Sequence, residues 1–219
     1  MAAWVALCIS ASGDEWERGG RTLYAAWQTG VLREAFLHWL LMSLVMMPVL
    51  SLPLIRFVAV RSFAERRALA VLEFLCGLWT VWMLAGVALV PLAVLWAGLL
   101  PIHEFAVPLA FGFAALWQIT PIKRSALERC HRTVALSAAG WRADRDCVAF
   151  GLQAARQCVV SCWPMMFACA LAAHSIPALV IVLTIAIRER AAHAPPPTRC
   201  AFMLAGLALV LTLHEAGVP

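Results

Sequence analysis

The sequence predicts an all-α fold, a polytopic transmembrane helical bundle of about six spans. Composition is the first reason. The 219 residues are 63% hydrophobic and only 13% charged, with a mean hydropathy of +0.85, whereas a soluble domain is about half apolar and about a quarter charged. Periodicity is the second. The apolar residues come in runs of helical length, and in lipid each segment must satisfy its own backbone hydrogen bonds. A barrel would show alternating strands of roughly ten residues, which do not occur. The third is the placement of lysine and arginine, which fall in every other loop.

Taken in order, residues 1–12 are apolar but fall short of the roughly 20 residues of a full crossing, and they lack the basic start of a signal peptide. Residues 14–35 mix Asp14, Glu15, Glu17, Arg18, Arg21, Arg33 and Glu34 with Trp16, Leu23, Tyr24 and Trp27, the pattern of an interfacial helix. Residues 1–35 therefore form a short apolar and interfacial segment, and 36–219 the transmembrane domain. The first span is expected over about 36–59, kinked by Pro48 and Pro53. The second covers about 68–96 and the third 105–120. A long polar stretch, 121–148, leads to the fourth at 149–171. The fifth and sixth, at 175–188 and 200–214, are short.

Basic residues set the orientation. Arg61, Arg66 and Arg67 follow span one, Lys123 to Arg145 follow span three, and Arg188, Arg190 and Arg199 follow span five. The intervening turns carry none. By the positive-inside rule those loops are cytoplasmic and both termini lie outside. The net charge of +5 thus reports topology in a bilayer, and nucleic acid is not an expected partner.

Eight cysteines do not read as a disulfide framework, because most lie in apolar runs or in loops placed on the reducing side. They fall in register instead. Cys158, Cys162, Met165, Met166 and Cys169 recur at three- and four-residue steps, so they stack on one helix face. His38, Met42 and Met46, with Met47 beside them, form a second stripe on span one. Thiols and thioethers are soft ligands that suit copper(I). The same residue types also make close-packed helix seams, so the stripes have a purely structural alternative. His38, His103, His174 and His214 all fall at the outer ends of spans. Glu73 is expected to point into the bundle and meet an arginine, with Arg156 the first choice, since a buried charge needs a partner. Cys130 and His131 are a weak chelating pair, with Cys147 as a further thiol. No C-x-x-C, Gly-rich phosphate loop, H-E-x-x-H or nucleophile elbow occurs, so no enzymatic activity is expected.

Residues 117–132, W-Q-I-T-P-I-K-R-S-A-L-E-R-C-H-R, resemble a bacterial family of integral membrane proteins predicted to bind metal and often labelled copper chaperones. M-S-L-V-M-M-P at 42–48, L-C-G-L-W-T-V-W at 75–82, and the run from Gly151 through C-V-V-S-C-W-P-M-M resemble its other motifs. The resemblance spans roughly 36–190. It implies Met42, Met46, Met47, Cys130, Cys158, Cys162 and Met166 as metal ligands. Ala126 stands where the family often has a first loop cysteine. Ser161 replaces the first of a cysteine pair before Trp163.

Together these readings place spans one and four side by side, with Met42, Met46 and Met47 facing Cys158, Cys162 and Met166 around a soft ion. His38 and His174 form the outer mouth. The expected function is copper(I) handling or delivery in a bacterial inner membrane, serving a copper-dependent membrane enzyme or a larger complex. The alternative is a non-catalytic accessory subunit packed in such a complex, its sulfurs only filling space.

Overall fold

The computed structural model describes residues 25–99, 105–130, 132–172, 176–191 and 197–216. All regular structure among them is helical. Gly30, at φ 77° in the left-handed region that glycine tolerates, opens α1 (Val31–Leu50). The helix starts ahead of the expected 36 because Val31 and Leu32 are buried, so residues 31–35 belong to a membrane-length helix and not to a surface segment. Residues 1–24 lie outside the described part.

The first span is broken, not merely kinked. Pro48 lies inside α1 and Pro53 in the first turn of α2 (Leu52–Arg61). Neither has an N–H to give the helix. At the break the Ser51 N–H donates to the Met47 carbonyl at 3.0 Å.

A 3-10 turn, Ala64–Arg66, leads into α3 (Arg67–Leu99). Then follow α4 (Ala106–Gln118), α5 (Pro121–Cys130), α6 (Trp141–Leu171), α7 (Ile176–Glu189) and α8 (Pro197–Glu215). The polar stretch read as a loop thus contains a helix. Pro121 starts α5, and Lys123, Ala126 and Cys130 are its buried face at three- and four-residue steps. The same stretch holds the first two turns of α6, where Ala143 and Cys147 point inward ahead of Phe150 and Gly151. By length and composition α1, α3, α6 and α8 can each cross a membrane. The other two expected spans are shorter: α4 has 13 residues and α7 has 14.

The bundle is centred on α3 against α6. A Cβ added at Gly151 would stand 2.1 Å from the Phe74 carbonyl oxygen, and one at Gly77 2.3 Å from that of Val148. Only glycine permits so close a crossing, which brings the two backbones into van der Waals contact. The α1 helix lies on α3 through Trp39, whose Nε1–H donates to the Trp82 carbonyl at 2.9 Å. Its indole fills the space a side chain at Gly86 would need, 2.4 Å from that added Cβ. The α5 helix lies along α6, and α8 along α4.

Glu73 does point inward, but its partner is Arg66, with Nη2 2.7 Å from Oε2. Arg66 also holds Asp144. Two turns separate Arg66 from Glu73, which puts them on one face, and the early start of α6 brings Asp144 opposite. Arg156 is exposed on the outer face of α6.

Candidate metal centre

The thiols of α6 meet where three other elements stop. Trp117, at the end of α4, donates from Nε1 to the Val160 carbonyl at 3.2 Å, and its ring packs edge-on against Trp163. The α7 helix ends at Glu189, and the next residue, Arg190, reaches Cys158. The break at Ser51 lies at the same level. Short helices and a broken one therefore surround one interior turn of α6, Cys158 to Cys162.

Arg190 organises this point. Its Nη2–H donates to Cys158 Sγ at 2.8 Å, with Cys162 Sγ at 3.8 Å. Its Nη1–H donates to the Leu50 carbonyl at 3.0 Å. The Ser51 N–H serves the Met47 and Pro48 carbonyls and Arg190 serves that of Leu50, so the guanidinium caps a helix end and touches two thiols at once. Its Nε is buried with no hydrogen-bond partner among the described residues.

Cys158 and Cys162 lie against one another, one turn apart. The Ser161 hydroxyl donates to the Cys158 carbonyl at 3.0 Å and is 3.3 Å from Cys162 Sγ. Cys130, at the end of α5, is close to Ser161, Cys162 and Arg190, and burial pushes its thiol up to about 11. A cavity of about 30 Å³ opens here, lined by Leu50, Ser51, Pro53, Cys130, Cys158 and Arg190 among others. That is room for a small ion or a single water. Beside the cluster, the buried Lys123 Nζ meets Glu189 Oε2 at 2.9 Å.

The expected ligands are partly gathered. Met42, Met46, Met47, Cys158, Cys162 and Met166 are each 5% exposed or less and share one core. The two stripes, however, do not form a packed helix pair. The close neighbours of α1 are α3 and α7, while α6 packs on α3, α4, α5 and α7. The first span approaches α6 through the Ser51 break, with Arg190 between. Met165 turns aside to accept from Gln118 Nε2 at 3.3 Å. His38 is exposed on α1 and His214 at the end of α8, whereas His103, His131 and His174 lie outside the described residues. Among the described residues, no three His, Cys, Asp or Glu side chains gather as one metal-binding group.

The donors are thus two adjacent thiols, one nearby thiol and buried thioethers, a set suited to a soft ion. A sequence model for PpoB2, described as a copper chaperone, matches residues 36–213. The chain belongs to this family. No curated protein matches the chain, and no solved structure does. Of the two positions at which the chain departs from the motif it resembles, Ser161 lies at the thiols and Ala126 on the buried face of α5. Ser161 bonds to the Cys158 carbonyl, and Ala126 is buried one turn before Cys130 on α5.

Arg190 is the residue that sequence reasoning missed. It counted there as one more cytoplasmic cation. The usable signal was the pair of prolines in span one, since a broken buried helix needs an outside donor for its carbonyls.

Proposed function

We propose that this protein is a multi-pass chaperone of the bacterial inner membrane that holds copper(I) as cargo between Cys158 and Cys162. The observation that carries this reading is the buried pair of adjacent thiols beside a cavity, in a chain of a copper-chaperone family. Two thiolates satisfy copper(I), whereas a structural zinc site needs four ligands. Cys130 is the third thiol to which the ion can pass, and the thioethers of Met42, Met46, Met47 and Met166 give it weaker stops within the core. His38, exposed near the outer end of α1, serves as the entry in this reading. In this reading α4 and α7 join the four longer helices as membrane elements, the arginine-rich ends are cytoplasmic and both termini lie outside. The recipient is a copper-dependent membrane enzyme or complex.

The test is copper content. Purified in detergent, loaded with copper(I) under anaerobic reducing conditions and desalted, the protein should retain about one copper per chain by elemental analysis. Cys158→Ala with Cys162→Ala should remove it and leave the elution profile unchanged. Copper equally retained by the double variant would leave the sulfurs as packing groups and the chain as an accessory subunit.

A further inference from the structure

We infer that Arg190 sets the charge of the ion this site accepts, matching it to a monovalent soft cation and against divalent ones. The inference rests on the copper(I) reading above and adds the residue that decides between ion charges. Arg190 is the cation in contact with the thiol pair, at 2.8 and 3.8 Å. The other charges beside the cluster, Lys123 and Glu189, are paired with each other at 2.9 Å and cancel. Among the described residues no three His, Cys, Asp or Glu gather as one metal-binding group, and the nearby Cys130 enters the balance as a neutral thiol as long as the ion rests on Cys158 and Cys162.

The charge balance follows from this inventory. An ion that binds Cys158 and Cys162 takes them as thiolates and releases their protons. Two thiolates and one guanidinium leave a single negative charge. A monovalent ion brings the buried site to neutrality. A divalent ion leaves one positive charge unmatched beside thiols that are 1–2% exposed, and an uncompensated buried charge is strongly disfavoured. Arg190 cannot escape this penalty by losing its proton, since a guanidinium stays charged in proteins. It is also held from the other side by the Leu50 carbonyl at 3.0 Å, so withdrawing it would strip the broken helix of its cap.

Two thiols alone would also bind cadmium(II) or zinc(II), and their divalent charge would be neutralised if Arg190 were absent. Arg190 is thus a specificity-determining residue and not a ligand. Its signature is a change in the ratio of affinities, where a structural brace would change both affinities together.

The experiment compares copper(I) and cadmium(II) binding to the detergent-purified full chain by chelator competition, anaerobically, in wild type, Arg190→Gln and Arg190→Lys. The ratio of copper(I) to cadmium(II) affinity should fall by about tenfold or more in Arg190→Gln and hold in Arg190→Lys. An unchanged ratio, or a proportionate loss of both metals in Arg190→Gln, overturns the inference. Wild-type protein that binds no copper(I) overturns the chaperone reading instead, so the two failures are distinct. If Arg190→Gln is not monodisperse, Arg190→Met takes its place under the same criterion. If both neutral variants fail to give monodisperse protein while Arg190→Lys folds, Arg190 is a brace and the inference is overturned.

Discussion

Gly151 has the tightest surroundings of the described glycines, so Gly151→Ala should be a strongly damaging single-methyl change. The added Cβ would sit 2.1 Å from the Phe74 carbonyl oxygen and 3.0 Å from the Leu78 nitrogen. An ordinary carbon–oxygen contact is about 3.3 Å, so α3 and α6 must separate by about 1.2 Å at their crossing. Both obstructing atoms are backbone, so no rotamer change can relieve the clash. Overpacking a core costs about 1–3 kcal/mol, and a backbone obstacle points to about 3 kcal/mol here, near a hundredfold in the folding equilibrium. Cys158 lies two turns further along α6 on the same face, so the shift also reaches the thiols. Thermal unfolding in detergent, followed by size-exclusion chromatography, reads the loss. Gly112→Ala and Gly206→Ala are the controls, because an added Cβ at either meets nothing within 4 Å. A melting temperature for Gly151→Ala equal to those of the controls would refute the close crossing.

Three more outcomes are expected. Lys123→Met strands the Glu189 carboxylate, whose side chain is 6% exposed, and should destabilise the fold by about 3–5 kcal/mol, whereas adding Glu189→Leu should recover most of it; equal melting temperatures for single and double variants would contradict the pair. Burial raises the Cys130 thiol to about 11, so its reactive thiolate grows about tenfold per pH unit from 7 to 10. Site-resolved alkylation by mass spectrometry should show that rise, and a plateau near pH 9, as an ordinary thiol gives, would count against it. In the proposed topology, cysteine-accessibility labelling should place 61–67, 121–148 and 189–199 on one face of the membrane and 99–103 on the other; labelling of 99–103 from the same side as 121–148 would sink it.

What the sequence made legible was whatever depends on period and composition. The second span, expected at 68–96, is α3 (Arg67–Leu99) almost to its ends, because one unbroken apolar run admits no other reading. The prolines located the fault in span one, although not that Ser51 would divide it. The polar stretch at 121–148 misled because charged residues mask a narrow buried face, as Lys123, Ala126 and Cys130 do on α5. At the candidate site, Cys158 and Cys162 were legible as neighbours since a four-residue step on one helix makes them so. Their company was not. Arg190 and Leu50 lie far from them in the chain, and no local pattern announces a contact made across the bundle. Glu73 shows the same division. Its need for a cation followed from burial alone, while the partner is Arg66, two turns earlier on the same face, and α6 turns Arg156 outward.

Trp39 carries a mechanical consequence. With its N–H on the Trp82 carbonyl and its ring in the space opposite Gly86, it fixes the register of α1 along α3. A slip of one turn, about 5.4 Å, would remove that bond and drive the indole into residues that have side chains. The upper half of the first span therefore behaves as a fixed rail and not a piston. In the proposed function, copper would therefore advance by exchange between stationary sulfurs, as along a bucket line, with no sliding of α1 along α3. The chain's break at Ser51 lies just past that rail, where the last carbonyl of α1 is tied across to the thiols through Arg190.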